Sequence, residues 1–147
     1  LEMNKEEKAA YRKTYIQTVE GRANKLWLDA RRRAKQRGVP FDITKEWVID
    51  ALRRGTCPRT YVDFYMGEPK IKGRNERHAP SLDRIVALLG YTPSNTQVVT
   101  WAYNCAKHTW TDEDLLKMSQ EVAYVALSKK LGVEPRKRTP RNAPIEY

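Results

Sequence analysis

Residues 78–108 read HAPSLDRIVALLGYTPSNTQVVTWAYNCAKH, and this stretch decides the fold. The runs 81–86 and 96–101 contain many strand-forming residues, and residues 90–95 between them contain many turn formers. Residues 103–108 then predict a short helix. The order strand, loop, strand, helix predicts a hairpin with a helix behind it, and therefore an α+β fold.

Polar side chains recur at set intervals along this stretch. Asp83 lies on the first strand, Asn95 ends the loop, and Asn104 and His108 lie in the helix. Residues four apart share a helix face, so Asn104 and His108 are predicted to point the same way. A carboxylate, an amide and an imidazole could hold one divalent cation. Oxygen ligands favour Mg²⁺ or Mn²⁺, and the imidazole would also admit Zn²⁺ or Ni²⁺.

The flanking sequence predicts long helices on both sides of this core. Apolar residues recur at helical spacing over residues 5–37, where Gly21 can divide the helix and Gly38 ends it. Thr44 is predicted to cap a short helix, and residues 57–71 fit a hairpin or an irregular loop. Thr111 caps a C-terminal helix with a predicted buried face of Leu115, Met118, Val122, Val125 and Ala126.

The predicted organisation is a single compact domain with four parts. Residues 1–55 form a basic helical region and residues 56–110 the hairpin–helix core. Residues 111–132 form a helix that packs on the core, and residues 133–147 form a flexible basic tail.

The charge balance points to a polyanionic partner. The chain has 28 Lys and Arg against 18 Asp and Glu, a net charge of +10. Nucleic acid is the first expectation and acidic lipid the second. The densest basic cluster, on the first long helix, consists of Arg31, Arg32, Arg33, Lys35 and Arg37. No apolar run of about 18 residues predicts a membrane span. With two cysteines, no signal peptide and Met3 as the natural start, we expect a cytoplasmic protein.

Three separated segments resemble the core of the HNH endonucleases encoded by phages, which belong to the His-Me finger (ββα-metal) nucleases. These segments are residues 80–85 (PSLDRI), 90–99 (GYTPSNTQVV) and 104–107 (NCAK). The upstream runs 33–44 and 55–58 resemble the leader of the same family. The similarity extends over roughly residues 22–125.

The resemblance implies a metal-dependent endonuclease that hydrolyses phosphodiester bonds in double-stranded DNA, as a nick or a double-strand cut, in the host cytoplasm. Asp83 falls on the family's acidic metal ligand, and Asn104 and His108 fall on the ligands of its helix. Asn95 matches the Asn that stabilises the loop and orients the base. The expected metal is Mg²⁺ or Mn²⁺.

This sequence departs from the family at two points. Arg84 occupies the position of the general-base histidine, so His78, folded back by a turn at residues 79–80, is predicted to take that role; a metal-bound hydroxide is the alternative. Arg84 and Lys107 then join the predicted DNA contacts. Many relatives hold a structural Zn²⁺ with two cysteine pairs, which Cys57 and Cys105 alone cannot provide.

Other interpretations remain open. The chain could be a catalytically impaired relative that binds DNA or a host protein, or an RNA-binding module. Each residue also has a structural interpretation. Asp83 could be an ion-pair partner on an ordinary strand, Asn95 a turn residue, and both cysteines small core residues.

Overall fold

The computed structural model describes residues 3–137, which divide into two compact units at the boundary between Asp112 and Glu113. The elements in chain order are helices α1 (Lys5–Tyr15), α2 (Val19–Arg37) and α3 (Lys45–Arg53), strands β1 (Pro80–Arg84) and β2 (Thr96–Thr100), and helices α4 (Trp101–Lys107) and α5 (Asp112–Lys130). The first unit therefore combines helices with a two-stranded sheet, which confirms the predicted α+β class.

The hairpin formed by β1 and β2 is antiparallel. Its register places Asp83 opposite Gln97, and Pro80 opposite Thr100. Every residue of β2 is buried, because β2 packs against α3 and α4 as well as β1. Helix α4 begins at the residue after β2, where Thr100 caps it by accepting a hydrogen bond from the Tyr103 N–H. The predicted strand–loop–strand–helix order is confirmed to within two residues at each boundary.

The N-terminal helical region is broken, as the sequence predicts, but the break lies at residues 16–18 and Gly21 is inside α2 rather than at the division. Thr18 caps α2 through a hydrogen bond from the N–H of Gly21. A Cβ added at Gly21 would lie 1.9 Å from the carbonyl oxygen of Tyr15. The backbone at Gly21 therefore approaches the end of α1 at a distance that only glycine allows. Helix α2 ends at Gly38, whose φ of 64° is left-handed.

The hydrophobic core of the first unit lies between the α2–α3 pair and the hairpin. Small side chains on one face of α2, Ala23, Ala30 and Ala34, are essentially fully buried. The rest of the core cluster is Ile43, Val48, Leu52, Leu82, Tyr91 and Val98. Small residues on this face let the backbone of α2 approach its neighbours closely.

The connector between α2 and α3 is hydrogen-bonded to the loop between the strands. The N–H of Tyr91 donates to the Pro40 carbonyl at 2.9 Å, and the N–H of Asp42 donates to the Tyr91 carbonyl at 2.8 Å. A Cβ on Gly90 would lie 2.2 Å from the same Pro40 oxygen. This close contact fixes the C-terminal end of α2 relative to β1.

Residues 56–77 form an irregular segment, with one isolated bridge between Thr56 and Asp63. The second of the two sequence predictions, an irregular loop, is therefore correct. Residues 70–77 of this segment are largely exposed, as the sequence predicts.

Helix α5 differs from its prediction. Of the five residues expected to be buried, Leu115 is buried but Val122 is 65% exposed and Val125 38% exposed. Apolar spacing alone therefore predicted too large a buried face. That α5 packs on the core stays a prediction. The predicted tail lies mostly outside the described residues, and no helix in residues 3–137 is long and apolar enough to cross a membrane.

Candidate active-site cavity

The helix α4 is fastened to the first strand by Asn104. Its side-chain amide donates to Ser81 Oγ at 2.8 Å and to the Leu82 carbonyl at 3.1 Å. These bonds join the end of the 78–108 stretch to its beginning. They position the side chains of α4 beside β1, as the strand–helix pattern predicts.

Asp83 forms a buried ion pair with Lys107. Lys107 Nζ lies 3.2 Å from Asp83 Oδ1 and also donates to the Arg84 carbonyl at 2.9 Å. The second carboxylate oxygen accepts a hydrogen bond of 2.8 Å from Gln97 Nε2. Lys107 is fully buried and Asp83 is 4% exposed. Both oxygens of the carboxylate are therefore bound within the protein, one of them to a cation.

The polar network continues from Gln97 to a second acidic residue, Asp112. Gln97 accepts from Arg59 Nε at 2.8 Å, and the Arg59 guanidinium forms an ion pair of 2.7 Å with Asp112. The Tyr103 hydroxyl donates a short hydrogen bond to Asp112. Burial, followed by this bond and the Asp112 charge, raises the pKa of Tyr103 well above its ordinary value. Tyr103 is therefore a neutral donor at physiological pH.

A cavity of about 300 Å³ opens beside this network, between α2, β1 and α4. Three of its lining residues are basic: Arg33 and Arg37 from α2, and Arg84 from β1. Among residues 3–137, Asp83 is the one acidic residue that lines it. The remaining lining residues are Ser81, Leu82, Ala87, Tyr91, Trp101, Asn104, Cys105, His108 and Thr109.

The arginines of the cavity come from two elements, and the side chain of Arg84 is also held by contacts. Arg33 and Arg37 are one helical turn apart on α2, so they share a face. Arg84 donates to the Leu89 carbonyl at 3.2 Å, and its guanidinium lies 5.3 Å from the centre of the Tyr91 ring. Because Lys107 balances Asp83, the cavity keeps an excess of positive charge. It is suited to bind an anion.

His108 and Cys105 bring further chemistry to the same cavity. His108 is exposed and is the C-cap of α4, with φ 52°, so it lies just past the helix rather than on its face. Its Nδ1 lies 3.2 Å from Thr109 Oγ1. Partial burial raises the pKa of the exposed Cys105 thiol, which therefore is not an activated nucleophile. The expectation of a core residue is wrong for Cys105 and correct for the buried Cys57.

The donor atoms around Asp83 do not fit the divalent cation that the resemblance implies. A cation bound to the carboxylate would lie beside the Lys107 ammonium, in a cavity that three guanidinium groups already line. Across residues 3–137, no three His, Cys, Asp or Glu side chains are grouped closely enough to hold a metal ion. The assignment of Asp83, Asn104 and His108 as ligands stays a prediction, although all three line the same cavity.

The other residues predicted for the site have different positions. Asn95 is buried and holds the loop between the strands: its side chain bonds both backbone groups of Val86 and the carbonyl of Gly90. His78 does not line the cavity. The Ala79 carbonyl accepts from the Trp101 N–H, which continues the hairpin at the end away from Asp83. The structure therefore does not bring His78 to Asp83.

The predicted DNA contacts also divide by position. Lys107 is fully buried and its ammonium pairs with Asp83, so this position does not favour a direct DNA contact, which stays a prediction. Arg31 and Arg32 are exposed on α2, where Arg31 lies over Trp27 and Arg32 pairs with Asp29. Lys35 is exposed on the same helix.

Sequence reasoning missed the Gln97–Arg59–Asp112–Tyr103 part of the network. The cross-strand pairing of Asp83 with Gln97 follows from the hairpin register, and a predicted register would have found it. Nothing in the local pattern around Arg59 indicates its contact, because it lies in an irregular segment 38 residues before Gln97.

Comparison with known proteins gives a structural relative. No family model matches the sequence, and no curated protein matches it. Among solved structures, the rare-cutting HNH restriction endonuclease PacI is similar with a TM-score of 0.53, at 14% identity over 76% of this chain and 82% of that chain. This similarity supports the predicted α+β fold with a hairpin–helix core. The chain has a fold like that of an HNH nuclease.

Proposed function

We propose that the protein is an endonuclease that hydrolyses phosphodiester bonds in double-stranded DNA, with the reacting phosphate in the cavity between α2, β1 and α4. The observation that supports this best is the cavity itself. It lies on a hairpin–helix unit like that of an HNH endonuclease, and Arg33, Arg37 and Arg84 line it.

The chemistry of the cavity suits a phosphodiester. Guanidinium groups form paired hydrogen bonds with phosphate oxygens, and fixed positive charge stabilises the extra negative charge of the transition state. Arg84 is anchored at Leu89, so it is already oriented before DNA binds. The exposed residues Arg31, Arg32 and Lys35 continue the positive surface along α2 and would contact phosphates on either side.

The proposal does not include the metal dependence that the resemblance implies, because the Asp83 carboxylate is neutralised by Lys107. His108 is the imidazole in the cavity, and His78 is not near it. In this proposal His108, and not His78, accepts the proton of the attacking water.

A plasmid cleavage assay tests the function. Supercoiled plasmid is incubated with the protein in EDTA, Mg²⁺ or Mn²⁺, and relaxed and linear products distinguish a nick from a double-strand cut. Arg37→Gln should lower the cleavage rate by about 10²-fold or more, the usual effect of losing a group that stabilises transition-state charge. Arg12→Gln on α1 removes the same charge far from the cavity and should cut at the wild-type rate. Tight DNA binding with no product in any buffer would reject the endonuclease.

That outcome would favour the second candidate, a nuclease-like protein that binds DNA without cutting it. The observation behind this candidate is Arg84, which occupies the general-base position of the resembled family. Its guanidinium is bound to the Leu89 carbonyl and stacked on Tyr91, and an arginine stays protonated. Binding in a gel-shift assay without cleavage would establish this candidate.

A further inference from the structure

We infer that the cavity is a phosphate-binding site that works without a metal ion, in which the buried Lys107 ammonium neutralises Asp83 and the guanidinium groups bind the phosphate directly. The inference rests on the proposed function for its substrate class. It goes beyond that proposal in requiring that phosphate binds in the absence of any metal ion, whether or not the DNA is cut.

Lys107 is fixed in place by its contacts. Its ammonium bonds both Asp83 Oδ1, at 3.2 Å, and the Arg84 carbonyl, at 2.9 Å. The side chain is fully buried, so moving its ammonium away from the carboxylate would require α4 and β1 to separate locally. Gln97 holds the other oxygen at 2.8 Å. A divalent cation at Asp83 would have to break these bonds and leave an ammonium group buried beside it.

The cavity also retains a net positive charge. With Asp83 balanced by Lys107, the uncompensated charges lining the cavity are those of Arg33, Arg37 and Arg84. They come from two elements, α2 and β1, that both line the cavity, so an anion bound there could be contacted from both elements. A cavity of about 300 Å³ is at the lower end of the range for small-ligand sites, which suits a phosphate group with part of its sugar.

The anion could be an internal phosphodiester, a terminal phosphate or free inorganic phosphate. All three offer the same oxygens to the guanidinium groups. The experiment therefore needs separate probes for the three sources, and it needs a reporter inside the cavity. Cys105 provides the reporter, because it lines the cavity and is exposed whereas Cys57 is buried.

The experiment has two parts, both on the intact protein. In the first, Mn²⁺ is titrated into DNA-free protein by calorimetry, and we expect no binding in the wild type or in Asp83→Asn. In the second, alkylation of Cys105 is followed in EDTA with inorganic phosphate, a 5′-phosphorylated dinucleotide or an unphosphorylated dinucleotide. We expect saturable protection by at least one probe, lost in Arg33→Gln/Arg37→Gln and kept in Arg12→Gln.

Each outcome decides the inference. Mn²⁺ binding that disappears in Asp83→Asn would overturn it, as would protection that appears only when Mn²⁺ is added. Absence of protection by all three probes would also overturn it. Failure of the endonuclease proposal has a different signature: protection in EDTA without plasmid cleavage leaves the phosphate site standing and removes the activity.

Discussion

The ammonium of Lys107 lies 3.2 Å from Asp83 Oδ1, and neither side chain is more than 4% exposed. This ion pair joins α4 to β1, and its carboxylate member lines the cavity. Both residues lie in the 78–108 stretch. The sequence predicted Asp83 as a metal ligand and Lys107 as a DNA contact, and did not predict that they pair with each other.

Removing one partner of this pair should be costly. Lys107→Met leaves an unpaired buried carboxylate, and we expect the free energy of unfolding to fall by about 3–5 kcal/mol. The double variant Asp83→Asn/Lys107→Met should recover a large part of that loss. Urea unfolding measures both. The matched control is Lys117→Met, which breaks an exposed pair with Glu113 and should have a far smaller effect because solvent screens that pair. Equal effects of the two lysine variants would contradict the buried pair.

Asn95 should be important for stability rather than for contact with DNA. Its side chain makes three hydrogen bonds to the backbone of the loop, at 2.8–3.2 Å. Asn95→Ala leaves buried backbone groups without partners, and we expect a loss of about 2–3 kcal/mol in the free energy of unfolding. Ser94→Ala, at the exposed neighbouring position, should change it by less than about 0.5 kcal/mol. A destabilisation no larger than that of the Ser94 variant would show that the loop does not depend on Asn95.

The outer face of α2 should carry the non-specific part of DNA affinity. Replacing Arg31, Arg32 and Lys35 with Glu should weaken binding to all sequences and reduce the slope of log affinity against log salt by up to about 3, near 0.9 for each lost phosphate contact. The control replaces Lys5, Lys8 and Arg12 of α1 with Glu, an identical change in net charge. If both variants weaken binding equally, the protein's total charge, and not α2, determines the affinity.

The Tyr103–Asp112 hydrogen bond should make stability depend on pH in the alkaline range. Burial and Asp112 raise the pKa of Tyr103 in the folded protein, whereas in the unfolded chain a tyrosine titrates near pH 10. The contribution of Tyr103 is therefore complete below about pH 10 and is lost as the pH rises towards the folded pKa. We expect wild type to exceed Tyr103→Phe in stability by about 1.5–3 kcal/mol at pH 8, with the difference shrinking above pH 10. Denaturant unfolding at several pH values measures it; a difference that stays constant to pH 11 would refute the linkage.

The sequence predicted the elements well where local signals are strong. Gly38 and Thr44 mark helix ends by backbone geometry and side-chain capping, and both were found in place. Residues 80–107 combine short strands, turn formers and a capping threonine, so their order could be predicted too. Helix α5 was predicted less well, because apolar spacing does not say whether a partner surface covers the helix.

The grouping of three candidate residues was predicted from the sequence, but their contacts were not. Asp83, Asn104 and His108 line one cavity, as their spacing indicated, and Arg84, which strand alternation places on the other face, lines it as well. The partner of Asp83 could not be foreseen, because a lysine in a basic protein is by default a surface residue. Whether Lys107 faces solvent or the strand depends on how α4 rotates on the hairpin, which the Asn104 bonds to Ser81 and Leu82 determine.

The hydrogen bonds between the 39–42 connector and Tyr91 have a consequence for the evolution of this chain. The walls of the cavity are encoded in two separate stretches, residues 33–37 and residues 81–109, and the connector is what aligns them. A graft of the hairpin and α4 alone into another protein would transfer the Asp83–Lys107 pair but not the arginines of α2. Inheritance of this site therefore requires the leader and the core to be passed on together, as one unit about 80 residues long.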